Sequence, residues 1–460
     1  MRRLRSTLAT LLLVALAVPA AAQQPTTGFF PYPVHKRTLA NGLDVIVIPM
    51  PQFRDVLSWN TLVVSGSRNE VEKGKSGLAH LFEHILFSHR MGGKAGGYDE
   101  VISRLGAFNN ASTWADQTYY YPLTFASNLE EIARAEADRF VALDFDEATF
   151  RTQAGAVLGE YRNNAANPGL RMSEVANRLM YGDYGYGHTT IGYLEDVQDM
   201  PNEYQAALKF YRDWYTPTNS VLIVAGDVKP DSIFRLAERL YGGWKRTDPP
   251  ALPDAAPVGG PKKEHIDWAT DVPPRVSVAH RIPAHRTGSV DAAVAAILPE
   301  ILTGPTSPLV QELRFRKRVA TGVGSFGGES LGPGSYTVGA VLLGAAWRQK
   351  GNALLAETEA DILAAIDSLK SFSSRQDAVK LLEDVKSKYA YDLLGTFESP
   401  AAAARQFAWY YKFERDPQVF DRMIAAVRAL TPADVDRFVR AHFVPGNRVT
   451  VTLAPKPAGS

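Results

Sequence analysis

No cysteine occurs among the 460 residues. Disulfides and thiolate metal ligands are therefore excluded, and any bound metal must rest on nitrogen and oxygen donors. Surplus charge is also missing. Lys and Arg number 50 against 49 Asp and Glu, a formal net charge of +1, so nothing points to nucleic acid or to an anionic membrane surface. A long hydrophobic run is absent from the N-terminus as well. Leu8 to Val18 is apolar but falls short of the roughly 20 residues that span a bilayer. Arg2, Arg3 and Arg5 precede it, and Pro19-Ala20-Ala21-Ala22 follows. A basic segment, a short apolar segment and a small-residue site read as a signal peptide over residues 1–22. The mature chain is then expected to be periplasmic or secreted. The whole chain is 45% hydrophobic and 22% charged, ordinary for a globular chain with room for more than one core.

What the sequence does hold is Gly77-Leu78-Ala79-His80-Leu81-Phe82-Glu83-His84-Ile85-Leu86-Phe87. If this segment is a helix, His80 and His84 project from one face one turn apart, with Glu83 on its flank. Two imidazoles so placed can share a zinc ion, and the carboxylate can take a proton from zinc-bound water. H-x-x-E-H is the inverted form of the commoner H-E-x-x-H pattern. Leu78, Leu81, Ile85 and Leu86 form an apolar stripe, so the helix is expected to be buried and its polar groups to need partners.

The chain also reads as a tandem repeat. Lys209 to Val221 and Arg437 to Val449 each run from a helix end through an aromatic and a Pro-x-Asn turn into a β-rich segment. Asp248 to Pro261 is too rich in proline and glycine for a core element. The expected organisation is a first domain over 30–245, a linker over 246–264 and a second domain without the histidine motif over 265–458. Strand-like Leu43–Ile48, Ser58–Val64, Arg275–His280 and Ser335–Leu343 mix with helical Ser76–Ser88, Leu129–Leu143, Asp146–Tyr161, Val290–Leu302, Leu309–Arg318 and Asn352–Leu369. There is no strict βαβ rhythm, so the fold class is α+β. It comprises two tandem homologous domains, each a mixed, mainly antiparallel sheet flanked by helices.

A catalytic zinc usually has three protein ligands. Glu160, in Leu158-Gly159-Glu160-Tyr161-Arg162, is one candidate; from spacing alone it could equally be a solvated partner of Arg162. The chain resembles the pitrilysin/insulinase family of zinc peptidases, which includes mitochondrial processing peptidase. The resemblance is carried by Gly66-Ser67-Arg68-Asn69-Glu70, Gly74 to His80, the inverted motif, Asn110-Ala111-Ser112-Thr113, Leu158-Gly159-Glu160, and Tyr215 to Asn219 with the segment through Gly226-Asp227. It extends from about Thr38 to Pro455. It implies His80, His84 and Glu160 as ligands of one Zn²⁺ per chain, with Glu83 as general base. It further implies that Asn110 and Ala111 hold an extended peptide beside an edge strand, although Asn110 also suits a plain turn.

Two positions depart from the family. Where it usually carries a second glutamate, seven residues before the third ligand, this chain has Gln153. Where active members follow Leu-Arg by Tyr seven residues later, Leu313-Arg314 is followed by Thr321. Arg314 is thus a candidate substrate contact, or simply part of a basic face with Arg316, Lys317 and Arg318. The resemblance implies a zinc metalloendopeptidase acting on peptides or unfolded segments in an enclosed chamber. It also implies a homo- or heterodimer whose sibling subunit supplies the Arg/Tyr pair. The alternative is a non-catalytic assembly or core subunit of a family complex.

Overall fold

The computed structural model describes residues 28–456; the candidate signal peptide lies outside them. The first sheet comprises β1 (His35–Thr38), β2 (Asp44–Pro49), β3 (Val56–Val63), β4 (Ala111–Thr113), β5 (Thr118–Tyr120), β6 (Leu123–Phe125) and β7 (Ser220–Gly226). They run in the order β1-β2-β7-β3-β5-β4, and β6 pairs with the start of β3. β2 and β7 are near-continuous apolar runs, as central strands covered on both faces must be. The second sheet comprises β8 (Lys262–Trp268), β9 (Arg275–Ile282), β10 (Ala320–Gly327), β11 (Gly334–Leu342) and β12 (Arg448–Pro455), in the order β10-β11-β9-β12-β8.

The two sheets share one plan. β2 lies parallel to β7, which lies antiparallel to β3; β8 lies parallel to β12, which lies antiparallel to β9. Read from those strands outward, β2-β7-β3-β5-β4 matches β8-β12-β9-β11-β10. The turns Pro217–Asn219 and Pro445–Asn447 sit at the same place, ahead of β7 and β12. Residues 245–261 carry neither helix nor strand. β8, however, opens at Lys262, inside the stretch expected as linker, because Lys262–Glu264 pair in register with Val449–Val451.

Alternation along β2 sends Val45 and Val47 to one face and Ile46 and Ile48 to the other. The first face packs under helices of the same half, including Leu78–Phe87 and Leu129–Val141. The second meets Phe407, Tyr411 and Phe420, on helices Pro400–Glu414 and Val419–Ala429 of the other half. The exchange is reciprocal: helix Pro168–Tyr181 of the first half sets Met172 and Val175 against Val449, Val451 and Leu453 of the second sheet. The second half thus lends two helices and the first half one to the neighbouring sheet, and the seam between them is part of the apolar core.

Candidate metal and catalytic site

The motif helix spans Leu78–Phe87. Gly77 precedes it at φ +96°, a left-handed conformation that favours glycine, and an added Cβ would come within 2.9 Å of the Ile191 carbonyl. The N–H groups of Gly77 and Ala79 donate to the Glu70 carboxylate at 2.7 and 2.5 Å. That carboxylate answers the unpaired donors of the helix start. Burial pushes its pKa well above the usual carboxylate range, with the two N–H groups pulling the other way. Leu78, Ala79, Leu81, Phe82, Ile85 and Leu86 are all buried, which fixes the rotation of the helix. His80, Glu83 and His84 are left on its partly covered face.

Glu160 arrives from helix Glu147–Asn164, whose start is capped by Asp146 accepting from the Thr149 N–H at 2.8 Å. Phe150, Ala154, Val157 and Tyr161 bury one side of that helix. Its carboxylate turns to the histidines: Oε1 lies 3.3 Å from His84 Nε2 and Oε2 lies 3.5 Å from His80 Nε2. The imidazole rings meet edge to face with centroids 4.9 Å apart. All three ligand atoms fall within 4.8 Å of one another, the one such His/Asp/Glu group among the described residues. Burial, reinforced by the neighbouring His84, lowers His80 to a pKa of about 4. His80 is therefore neutral near pH 7, with a lone pair to offer. Two imidazole nitrogens and one carboxylate oxygen converging on a point fit the ligand set of a catalytic zinc.

Glu83 sits beside this cluster. Its Oε2 accepts a 2.6 Å hydrogen bond from the Thr113 hydroxyl, while burial raises its pKa. A cleft of about 520 Å³ opens over Glu83, His84, Asn110, Gln153 and Glu160. Gln153 thus reaches the cleft on the same helix as Glu160, offering an amide where a carboxylate was expected. β4 is the outermost strand on this side of the sheet. Asn110 lines the cleft and also closes a turn, its side-chain oxygen accepting from the Ala111 N–H at 2.8 Å. Asn110 therefore sits in a turn that borders the cleft.

Arg314 is not brought to the cleft. It is exposed, with its guanidinium 5.6 Å from the ring of its own neighbour Phe315. The expected helix over 309–318 splits into a turn at Pro308–Val310 and a wider π-type segment at Gln311–Arg316, closed by Lys317 N–H donating to the Glu312 carbonyl. Thr321 is exposed at a bulge on β10, donating to the Val341 carbonyl at 3.2 Å. His89 is structural, with Nε2 at 2.9 Å from Asp138 and Nδ1 accepting from the Asp144 N–H. Sequence reasoning missed Thr113 and Glu70 as supports of the site. Both stood inside the family blocks, but their partners are set by strand register and by a loop folding back, not by sequence spacing.

The comparisons identify the family and the fold. Residues 54–192 match the family described as insulinase (peptidase family M16), and residues 203–374 match the peptidase M16 inactive domain. The chain belongs to the pitrilysin/insulinase-like M16 peptidase family. Among its relatives is a zinc protease PqqE of Helicobacter pylori, 28% identical over 463 residues that cover 97% of this chain and 98% of the relative. The beta subunit of mitochondrial-processing peptidase from Caenorhabditis elegans is 26% identical over 45% of this chain and 46% of its own length. A solved protease structure from Helicobacter pylori superposes with a TM-score of 0.82 at 26% identity, covering 92% of this chain and all of that one. A peptidase M16 inactive domain from Pseudomonas fluorescens, at 17% identity and TM-score 0.79, shares the fold.

Proposed function

We propose that this chain is a zinc-dependent endopeptidase that hydrolyses peptides or unfolded segments. The observation that carries the reading is the convergence of His80, His84 and Glu160 beside a Glu83 held by Thr113 at the end of an edge strand. His80, His84 and Glu160 would hold a zinc ion, which would supply Lewis-acid polarisation of the scissile carbonyl and a more acidic water. Glu83 accepts the proton of the attacking water and returns it to the leaving amine. β4 offers unpaired backbone groups to an extended peptide, and Asn110 and Ala111 fix its register by β-augmentation. A sibling subunit, in a homo- or heterodimer, supplies the Arg/Tyr pair, its second half closing a chamber over the cleft; Arg314 of this chain is a substrate contact only where it faces a partner's cleft. The basic and apolar segments at residues 1–22 support export, leaving the mature chain periplasmic or secreted.

The test is hydrolysis of an unstructured peptide by purified chain with and without a zinc chelator, alongside Glu83→Gln. Chelator-sensitive cleavage that Glu83→Gln abolishes is expected. A second reading, a non-catalytic assembly subunit, is favoured by Gln153 and Thr321 standing where the family resemblance implies a carboxylate and a phenol. Full zinc occupancy with no hydrolysis, alone or with a sibling subunit, would establish that reading instead.

A further inference from the structure

The two faces of β4 differ in what they would show to an added strand. Tyr121 N–H donates to the Asn110 carbonyl at 3.0 Å and Trp114 N–H to the Gln117 carbonyl at 2.8 Å. Asn110, Ser112 and Trp114 thus spend their backbone groups on the β5 side, in the register that sets Ser112 opposite Tyr119. Ala111 and Thr113 turn theirs to the open edge.

Side chains alternate along the strand. Ala111 is buried in the first-half core and Thr113 reaches Glu83, so these two point to the motif helix. Trp114 points the other way and meets Trp409, on helix Pro400–Glu414, edge to face at 5.5 Å. Phe108 shares that second face. Its ring lies 6.4 Å from Tyr121, which stacks at 5.5 Å on Tyr119, buried against the helices of the other half. Between the two aromatic groups stands the small Ser112. Phe108 is 57% and Trp114 53% exposed. Of the seven tryptophans Trp114 alone is exposed, so neither ring is placed to fill a core, and exposed apolar surface of this kind marks a contact.

Beyond Trp114 a cavity of about 330 Å³ opens on the seam between the halves, lined from the second half by Glu329, Trp409 and Lys412. Its charges are engaged. Asp116 accepts from Arg68 Nε and the Leu331 N–H, Glu329 accepts from Trp409 Nε1 and the Tyr410 hydroxyl, and Lys412 donates to the Trp409 carbonyl. Trp114 is the most exposed side chain of that lining, so an incoming side chain meets an indole first.

Residues directly opposite each other in a sheet share a face, and aromatic side chains also reach the diagonal neighbour. In a peptide paired with β4, the residues opposite Ala111 and Thr113 therefore face the zinc cluster. Those opposite Ser112 and Trp114 face away from it, between Phe108 and Trp114. We infer that Phe108 and Trp114 form an aromatic ledge that selects unfolded segments with apolar side chains at alternate positions, bound with their apolar side turned away from the zinc. This rests on the peptidase reading and names its substrate class. Backbone pairing accepts any sequence, and alternate side chains supply the selection.

The experiment titrates full-length Glu83→Gln chain calorimetrically with unstructured Ser/Gly/Lys peptides that carry two Phe residues at varied spacing. An even spacing puts both rings on one face of an extended strand, and an odd spacing puts them on opposite faces. Even-spaced peptides are expected to bind about tenfold more tightly than odd-spaced ones of the same composition. Trp114→Ser and Phe108→Ser should each erase that alternation, since each removes one end of the ledge. Affinity independent of parity, no binding of any peptide, or alternation that survives both substitutions would overturn the inference. Comparing peptides on one unaltered ledge keeps the result independent of any folding defect in a variant. With Glu83 restored, a chain that selects even spacing yet cleaves nothing would defeat the peptidase reading alone. Cleavage of both peptide sets with equal binding would defeat the ledge alone.

Discussion

The Thr113 hydroxyl donates to Glu83 Oε2 at 2.6 Å and so joins the edge strand to the motif helix. The strand that would carry a substrate and the carboxylate that would act on it are fixed to each other by one charge-assisted hydrogen bond. Such a bond is worth about 1.5–3 kcal/mol. Thr113→Val is expected to leave zinc content unchanged and to lower kcat by at least tenfold, since 1.4 kcal/mol is one decade. Thr113→Ser should recover most of the loss. Metal analysis with steady-state kinetics on the three proteins checks this, and an unchanged kcat in Thr113→Val would remove Thr113 from the machinery.

His80→Ala or His84→Ala should release the metal, because two donors cannot hold what three converge on. Glu83→Gln should retain about one zinc per chain and lose hydrolysis by at least 10²-fold, the usual contribution of a positioned general base. Zinc stoichiometry by atomic spectroscopy separates the two classes of variant. Loss of zinc from Glu83→Gln would show that Glu83 is a ligand and not a base.

Glu70→Ala leaves the Gly77 and Ala79 N–H groups without their acceptor at the start of the motif helix. Unpaired buried donors cost about 1–3 kcal/mol. A lower denaturation midpoint and weaker zinc affinity are expected, with kcat per bound zinc preserved. A variant as stable as the parent would mean that water replaces the carboxylate without loss.

Much of this was legible in the sequence, for physical reasons that differ by element. The motif helix showed itself because its histidines and its apolar stripe share one period, and it appears at Leu78–Phe87. The repeat showed itself through the two Pro-x-Asn turns, and the matching strand orders follow from them. Glu160 needed the family resemblance, since nothing local distinguishes it from Glu147 or Glu174. The exchange of helices across the seam was not legible. Nothing around Phe407 and Tyr411 in the sequence says which sheet they cover, and only their packing with Ile46 and Val221 shows it. The seam cavity escaped for the same reason, its lining being drawn from both ends of the chain.

Lys412 provides a pH test of that seam. Burial lowers its pKa from 10.5 to about 7, with Asp116 and Glu329 opposing the shift. Folding disfavours the ammonium form, so between about pH 7 and 10.5 the unfolded chain holds up to one proton more than the folded one. Stability therefore rises with pH across that window, and the penalty is fully present below pH 7. Lys412→Met should flatten the rise in denaturation midpoint between pH 7 and 9 relative to the parent. Identical slopes for the two proteins would show that Lys412 is solvated in the fold.

The final expectation concerns the asymmetry between the halves. The first half brings together His80, His84 and Glu160 as candidate ligands with Glu83 beside them, whereas Arg314 is exposed and Thr321 stands where the family resemblance implies a tyrosine. A donor that reaches a developing oxyanion contributes about 10²–10³-fold in rate, so a chain lacking one should still cleave, but slowly. Hydrolysis of an unstructured peptide is to be compared for the isolated chain, for Thr321→Tyr, and for the chain co-expressed with a family sibling that keeps the Arg/Tyr pair. Slow cleavage alone and a gain of at least tenfold with the sibling are expected. Thr321→Tyr alone should gain only if two copies of this chain face each other, because Arg314 is not at the cleft of its own chain. Full activity in the isolated chain, unmoved by either addition, would show that the zinc half needs no second surface.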